Sequence, residues 1–428
     1  MNGLLQQGNG MNILVCGAHG FVGRALCEAL VREGHRVLKG VRVPTGPDEI
    51  AIDYMADTDP AAWTDRLRGI HVVINAVGIL IESAHATFDN VHQRAPIALF
   101  DAAQRAGVRH IVQLSALGAE QGDTPYFQSK RAADDYLQSL PIAHHILRPA
   151  LVYGVDGASA RFFRALSTVP IHLLPGGGHQ RLRPIHVNEL AEIVVRLLRG
   201  DADGPAVLDL VGGTEVAFRQ MLAAYRASMG FAPASQVPVP AWLVSTGAVL
   251  LNRLPGSLLT RDTWRMLRAG NTADAATTTH ALGRPPAGIE SFIAPADALA
   301  LRHQALAAWR PGLLRGALAL IWFWTAICSA WLYPVAGSVK LLKPVGLHGG
   351  AAVAALYLAA GLDFAFGVAT LWWPGRRLWA AQLALVLGYT AVIAVALPEF
   401  LLHPFGPVLK NAAVVALLFI LLTEEPKP

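Results

Sequence analysis

The chain has 428 residues, of which 53% are hydrophobic and only 15% are charged, a balance too apolar for an ordinary water-soluble protein. The formal net charge of +5, with no long basic run interleaved with aromatic residues, argues against a nucleic-acid partner and is compatible with attraction to anionic lipid. The three cysteines lack disulfide or metal-ligand spacing, so we expect free thiols and no metal site.

The first third of the chain alternates short apolar runs with helical stretches. Residues 1–10 are polar and predict a disordered tail. In residues 11–155, helical patterns such as GRALCEALVREG and APIALFDAAQRAG end at a glycine. The alternation predicts an α/β fold with a doubly wound parallel sheet of the Rossmann type. The predicted strands are NILVCG, HRVLKGV, HVVINAVG, RHIVQLS and HHILRPALVYG.

A glycine-rich stretch follows the first predicted strand. In LVCGAHGFVGRAL, Gly17, Gly20 and Gly23 lie between an apolar strand and a helix. Glycine there permits a tight turn, close approach of backbone N–H groups to a pyrophosphate, and close packing of helix on strand. The stretch therefore predicts a dinucleotide-binding loop. The loop residues predicted to bind the nucleotide are Gly17, His19, Gly20, Phe21, Val22 and Gly23.

The end of the second strand bears on which nucleotide binds. An NAD site usually places an acid about 20 residues past the glycines, where it bonds the ribose hydroxyl. Here the strand ends in KGVR without an acid, and Arg42 would suit a 2′-phosphate. We therefore expect NADP(H) to be favoured over NAD(H), with an ordinary surface arginine as the alternative. Further predicted cofactor contacts are Asp53 at the adenine and Ala76, Val77 and Gly78 in NAVG.

A tyrosine–lysine pair carries the candidate catalytic chemistry. YFQSK places Tyr126 and Lys130 four residues apart, on one face of a predicted helix. A lysine ammonium beside a phenol favours the phenolate, so we expect Lys130 to lower the pKa of Tyr126 and make it a usable acid or base. Ser115, at the end of IVQLS, is a candidate donor to a carbonyl or alkoxide oxygen.

Four segments, GAHGFVG, LSALG, YFQSK and ILRPALVYG, together resemble the short-chain dehydrogenase/reductase (SDR) superfamily in its extended or atypical branch. Over about residues 11–293 the chain is similar to the NAD(P)H-binding accessory subunit of respiratory complex I. The resemblance implies a Rossmann fold, bound NAD(P)H and hydride transfer. It assigns Tyr126 as acid/base, Lys130 to the ribose and Ser115 to substrate orientation, and it places Pro149 beside the nicotinamide.

One position departs from the family pattern. His92 stands where the family usually offers an asparagine to the proton relay. A histidine could also relay protons, but the usual catalytic set is incomplete. Nucleotide binding without turnover therefore stays open as an alternative.

The remainder of the chain changes character towards its end. Residues 156–300 predict a substrate subdomain that completes the SDR-like head, and residues 301–314 a linker. Residues 315–428 contain four apolar stretches of about 20 residues, the length that crosses a bilayer. They predict a four-helix transmembrane bundle similar to the DoxX-like membrane family. Asp363 and Lys410 fall at similar depth in their stretches, so we expect an ion pair between them.

The arginines that flank the predicted spans favour a bacterial inner-membrane protein with its head in the cytoplasm. The leading hypothesis is an NAD(P)H-dependent oxidoreductase that transfers hydride to a carbonyl-type substrate, lipid-like or quinone-like. The alternative is a non-catalytic NAD(P)H-binding subunit, assembly factor or redox sensor of a membrane complex. A nucleotide-sugar epimerase or dehydratase comes third, because the extended fold also serves those reactions.

Overall fold

The computed structural model describes residues 10–201, 205–251, 260–404 and 406–425, without the side chains of residues 248–251. Nearly all of the predicted N-terminal tail lies outside these residues. The chain divides into two compact units, residues 1–305 and 306–428. Each unit is built around its own buried core.

A parallel sheet of seven strands organises the first unit. Its strands are β1 (Asn12–Cys16), β2 (Arg36–Val41), β3 (Glu49–Ala51), β4 (Val72–Asn75), β5 (His110–Leu114), β6 (Ala143–Pro149) and β11 (Val207–Leu210). They lie in the order β11-β6-β5-β4-β1-β2-β3. The chain order reverses between β1 and β4, and ligands of such sheets bind at that switch point, beyond the carboxyl ends of the strands. The predicted fold class is confirmed.

Helices cover both faces of the sheet, because every strand of a parallel sheet buries both of its sides. The helices of this unit are α1 (Phe21–Arg32), α2 (Ala95–Arg105), α3 (Pro125–Ser139), α4 (Ala158–Thr168), α5 (Val187–Arg199), α6 (Phe218–Ser228), α7 (Ala241–Leu251), α8 (Arg261–Ala269) and α9 (Ala276–Leu282), with α10 (Ala298–Ala307) at the boundary of the units. Ile13 and Val15 of β1 belong to one core cluster with α1 and α5, whereas Leu14 and Cys16 face a second cluster with α2 and α3.

A smaller third core lies under the region predicted as the substrate subdomain. Tyr153, Phe218 and Phe292 are among its buried members. The remaining strands of this unit are short and pair into two-stranded sheets. These strands are β7 (Val152–Tyr153), β8 (Ile171–Pro175), β9 (Arg181–Leu182), β10 (Ile185–His186), β12 (Val216–Ala217) and β13 (Ser235–Val239).

The second unit consists of helices: α11 (Arg310–Ile327), α12 (Val335–Leu342), α13 (Gly349–Trp372), α14 (Arg376–Ala396) and α15 (Asn411–Glu424). In the described residues, three helices are long and apolar enough to cross a membrane: Ala298–Leu332, Gly349–Trp372 and Arg376–Ala396. The fourth predicted span corresponds to α15, a shorter apolar helix of 14 residues. The prediction of apolar helices is thus confirmed, while the count of four spans stays a prediction.

The expected ion pair between Asp363 and Lys410 is not formed. Asp363 is buried on α13, where the Thr325 side chain is its hydrogen-bonding neighbour and one carboxyl oxygen has no partner in the described residues. Lys410 is exposed, just before α15 begins. The expectation failed because it placed Lys410 inside the last apolar helix, whereas the helix begins one residue after it.

Candidate active site

The loop after β1 is tight because its glycines touch backbone. Gly17 has φ +80°, and the N–H groups of Gly17 and Ala18 donate to the Gly40 carbonyl at 3.0 and 3.2 Å. A Cβ on Gly23 would lie 2.0 Å from the Gly17 oxygen. No side chain fits there, so Gly23 lets α1 begin directly against the loop.

The N-terminus of α1 fits the pyrophosphate of a dinucleotide. Gly20 is the N-cap residue and brings no side chain that would occupy the first N–H groups, and the first turn has no acid. Unpaired N–H groups and the helix dipole together favour a negatively charged ligand at this point. The loop has no room for a Cβ at Gly23, and the helix that follows it begins with N–H groups free to bind an anion. Both features fit the predicted role of this loop in binding a pyrophosphate.

The other predicted loop residues have varied contacts. His19 is exposed, and its Nε2 lies 2.8 Å from a carboxylate oxygen of Glu49. Phe21 packs against Gly154, where a Cβ would come within 2.5 Å of its ring, and Val22 packs on the core. The Glu49 carboxylate also accepts from the Thr45 N–H at 2.6 Å, and these hydrogen bonds hold its pKa at about 2. Sequence spacing gave no signal for this carboxylate beside the loop.

The predicted contacts from the other strands lie at the same edge of the sheet. Arg42 is exposed directly after β2, and Pro149 ends β6. The Ala76 N–H donates to the Cys16 carbonyl at 3.0 Å, which fixes the segment Ala76–Val77–Gly78 beside the loop. Asp53 lies farther out, after β3, where its carboxylate accepts from the Met55 N–H at 2.9 Å.

Lys130 lies against the segment that follows β4. A Cβ on Gly78 would be 3.2 Å from its Nζ, and the Nζ donates to the Leu114 carbonyl at 3.0 Å and the Val77 carbonyl at 3.5 Å. Burial lowers the pKa of Lys130 to about 8. Lys130 thus links α3 to the carboxyl ends of β4 and β5.

Tyr126 lies one helical turn before Lys130, edge-on to the rings of Phe88 and His92. Its hydroxyl makes no hydrogen bond within the described part of the chain. Burial and the charge of Asp134 raise its pKa to about 12. The expected lowering by Lys130 is therefore wrong for the protein alone, because the ammonium donates to main-chain carbonyls and not to the phenol.

Ser115 is buried, and its hydroxyl donates to the carboxylate of Asp134 at 2.5 Å. Asp134 is fully buried on α3, one turn after Lys130, and Arg148 Nε lies 3.6 Å from the same oxygen. Burial raises the pKa of Asp134 to about 6. The Ser115 hydroxyl is thus committed to Asp134, and its role towards substrate stays a prediction.

Comparison with known proteins supports this geometry. Residues 17–169 match the model of an NAD(P)H-binding family, and residues 319–419 match the DoxX-like family. The chain joins an NAD(P)H-binding Rossmann domain to a DoxX-like domain. The resemblance to atypical SDR proteins is thereby confirmed.

Curated relatives of the NAD(P)H-binding domain differ in function. A ceramide reductase of Caulobacter vibrioides is 30% identical over 44% of this chain, and a mitochondrial NADH dehydrogenase [ubiquinone] 1 alpha subcomplex subunit 9 of Arabidopsis thaliana is 28% identical over 49%. The chain spans 61% and 55% of the lengths of these relatives. An NADPH-dependent quinone oxidoreductase from Escherichia coli, solved with NADPH, has the same fold, with a TM-score of 0.53 at 18% identity over 66% of this chain and 98% of that one.

His92 of the NAD(P)H-binding domain acts as a clamp between two elements. Its Nε2 accepts from the Ile79 N–H at 3.0 Å, so the ring proton resides on Nδ1, which lies 3.0 Å from the Ser129 hydroxyl. That hydroxyl in turn donates to the Tyr126 carbonyl at 2.8 Å. Burial lowers the pKa of His92 to about 2. With both nitrogens engaged and the ring neutral, His92 fastens the segment after β4 to α3.

Sequence reasoning missed Asp134 of this site and did not predict the contacts of Arg148 and His92. Asp134 continues the four-residue spacing of Tyr126 and Lys130, a signal that could have placed it on the same face of α3. Arg148, next to Pro149, could have been expected at the edge of the sheet but not beneath α3. For His92, the sequence could not tell which atoms would engage its two ring nitrogens.

Replacing His92 is expected to loosen this clamp. His92→Ala leaves the partly buried Ile79 N–H without an acceptor and removes the donor to the Ser129 hydroxyl, at a cost of about 1–3 kcal/mol. Urea unfolding of the full chain in detergent should show that loss. The matched variant His85→Ala, at an exposed position shortly before His92, should leave the free energy of unfolding unchanged. Equal stability of the two variants would contradict the clamp.

The same clamp predicts a dependence on pH. The pKa of His92 is lower in the folded protein than its ordinary value of 6.5, so the unfolded chain binds the proton more tightly. Its contribution is complete above pH 6.5 and is lost as the pH falls below that value, by up to about 1.4 kcal/mol per pH unit. His92→Gln should therefore flatten the fall in stability between about pH 6.5 and 5. Parallel pH profiles for the wild type and His92→Gln would refute it.

Proposed function

We propose that the protein is a membrane-anchored reductase that uses NADPH to reduce a carbonyl group of a lipid-like or quinone-like substrate. The observation that carries the proposal is the contact between the segment Ala76–Val77–Gly78 and Lys130. A Cβ on Gly78 would lie 3.2 Å from the Lys130 Nζ. This contact brings the predicted cofactor wall and the predicted catalytic helix together at the switch point of the sheet. Tyr126, on the same helix, is then the candidate acid.

The residues at this point suit reduction more than oxidation. A bound nicotinamide would supply the hydride. The Tyr126 phenol is protonated at neutral pH, so it holds the proton that a carbonyl oxygen would receive, although burial raises its pKa to about 12 and makes it a weaker acid. The Tyr126 hydroxyl makes no hydrogen bond to any of the described residues. Lys130 would orient the ribose, and the neutral His92 would keep these elements in place.

Two observations favour a membrane-soluble substrate. The DoxX-like domain and the apolar helices indicate a membrane protein, so the head works close to lipid. A relative named ceramide reductase acts on a lipid, as its name states. To test the proposal, we would reconstitute the full chain in liposomes and follow NADPH oxidation with long-chain ketones and quinones. Substrate-dependent oxidation is the expected result, and tight NADPH binding without oxidation across the panel would favour the alternative below.

We expect Arg42 to set the preference for the phosphorylated cofactor. Its guanidinium is exposed directly after β2, as predicted for a residue that contacts the 2′-phosphate. A hydrogen bond to a charged group contributes about 1.5–3 kcal/mol. Arg42→Ser should therefore weaken NADPH binding by about 10- to 100-fold and leave NADH affinity unchanged, as measured by calorimetry.

Arg36→Ser is the matched control, because Arg36 is exposed at the opposite end of the same strand. It should alter the affinity for neither nucleotide. Equal affinities of the wild type for NADPH and NADH would refute the assignment of Arg42.

The alternative function is a non-catalytic NAD(P)H-binding subunit of a membrane complex. It is supported by the commitment of the Ser115 hydroxyl to Asp134 and by the similarity to a complex I subunit. Under this alternative the nucleotide stabilises the head without turning over. Native purification should then recover the chain with stably associated membrane proteins, whereas the reductase should purify alone and turn over.

The orientation that we propose places the head in the cytoplasm. Within the first apolar span, Arg310 and Arg315 lie ahead of the uncharged stretch that begins at Gly316, and Arg376 and Arg377 open the third span. Positively charged residues near span ends favour the cytoplasmic side. Lys340 and Lys343 would lie on the opposite side and oppose this orientation only in part.

A further inference from the structure

A two-stranded edge of the first unit exposes apolar side chains to one side. In the parallel pair of β8 and β13, Leu173 lies opposite Val237, and Ile171 is two residues before Leu173 on the same face. These side chains are 59%, 42% and 51% exposed. Leu174 and His172 point to the other face and are buried. The pair therefore turns one apolar face inward and another outward.

The helix that follows extends this exposed apolar surface. Pro240 alone separates β13 from α7, whose sequence AWLVSTGAVLL contains no charge. Trp242 is 69% exposed and Leu243 is 48% exposed. Tryptophan is the side chain enriched where hydrocarbon meets lipid headgroups, since its ring is apolar and its N–H is polar.

A row of arginines borders α7. Trp264 of α8 is buried, and its N–H donates to the Ser245 hydroxyl of α7 at 3.1 Å. Arg261, Arg265 and Arg268 are exposed and stand about 40° to 100° around the helix from Trp264. In the described residues no carboxylate lies within ion-pair distance of these arginines. Three arginines without an ion-pair partner among the described residues thus flank an uncharged helix with an exposed tryptophan.

We propose that this surface docks on anionic phospholipid, with Ile171, Leu173, Val237, Trp242 and Leu243 in contact with the acyl boundary and the arginine row on lipid phosphates. An apolar face edged by cations is the arrangement that binds membrane interfaces, and cations near an anionic surface strengthen that binding. Charge complementarity favours lipid over a second copy of the same basic surface. The surface does not depend on the proposed reductase chemistry.

A depth measurement on the full chain tests the proposal. In a Cys328→Ser background, Leu243→Cys carries an environment-sensitive fluorophore, since the other two cysteines are buried. The protein is reconstituted in nanodiscs of phosphatidylcholine and phosphatidylglycerol with doxyl-labelled lipid. We expect blue-shifted emission and strong quenching at position 243. The matched control Val31→Cys, on the exposed side of α1, should be quenched little.

Val237→Cys gives a second reporter on β13 if labelling at position 243 disturbs α7. Absence of lipid quenching at both positions, or quenching equal to that at position 31, would overturn the proposal. Shielding of both labels in detergent that grows with protein concentration would assign the surface to a second copy and would also overturn it.

The arginine row has its own test. Reversing its charge by Arg261→Glu, Arg265→Glu and Arg268→Glu together should reduce quenching at position 243 several-fold in anionic nanodiscs. Reversing three exposed arginines elsewhere, by Arg32→Glu, Arg36→Glu and Arg105→Glu, is the matched control and should leave the quenching unchanged. Equal loss in both triple variants would show that only net charge matters and would remove the row from the docking surface.

Discussion

Tyr126→Phe should reduce substrate-dependent NADPH oxidation by about 10²- to 10⁴-fold, the usual contribution of a positioned acid. The substitution removes only the hydroxyl, which makes no hydrogen bond in the described part of the chain. The ring contacts with Phe88 and His92 remain. Stability and NADPH affinity should therefore stay close to those of the wild type. The measurement is the rate of NADPH oxidation in proteoliposomes, with cofactor affinity determined in parallel.

Tyr136→Phe is the matched control for this change. Tyr136 lies on the same helix, and its hydroxyl donates to Asp101 at 2.6 Å, away from Lys130. It should lose some stability and keep its turnover rate. If turnover survives Tyr126→Phe undiminished, Tyr126 is not the acid, and the head either uses another donor or only binds the nucleotide.

The placement of the predicted site residues at one edge of the sheet could be predicted from the sequence because it follows from strand order. Gly17, Arg42, Gly78 and Pro149 each follow or end a predicted strand, and the carboxyl ends of parallel strands share one edge of the sheet. The glycine spacing also predicted a backbone contact that excludes a Cβ. These features depend on local pattern and on chain topology alone.

The electrostatics of the site could not be predicted in the same way. The four-residue spacing placed Tyr126 and Lys130 on one face, but the pKa of each depends on what surrounds it. Burial and, to a smaller extent, the charge of Asp134 raise the pKa of Tyr126, while the Lys130 ammonium donates to the carbonyls of Val77 and Leu114. Such contacts join residues that are distant in the chain, so no window of sequence contains them.

The membrane unit shows the same limit. The length of the apolar stretches predicted the helices correctly, because a hydrophobic stretch of that length can be recognised from its composition alone. The pairing of Asp363 with Lys410 required the exact start of the last helix, and a helix boundary is the least determined feature of an apolar run. A shift of that start placed Lys410 outside the helix.

Gly23→Ala should abolish tight cofactor binding. The added Cβ would lie 2.0 Å from the Gly17 oxygen and 3.0 Å from the Ala18 Cα, both backbone atoms that cannot rotate away. Either α1 moves outward or the loop opens, and both changes misplace the N–H groups that would hold the pyrophosphate. We expect NADPH affinity to fall by at least about 100-fold, equivalent to about 2.7 kcal/mol. Calorimetric titration of the full chain with NADPH measures this loss.

Gly46→Ala separates this effect from a general cost of replacing glycine. A Cβ at Gly46 meets nothing nearer than the Glu49 side chain, at 3.9 Å, so the loop after β2 should accept it with affinity unchanged. A Gly23→Ala protein that folds and still binds NADPH as tightly as the Gly46→Ala protein would show that the nucleotide does not lie on the N-terminus of α1. Because this comparison concerns binding alone, it tests the cradle whether the head is a reductase or a non-catalytic subunit.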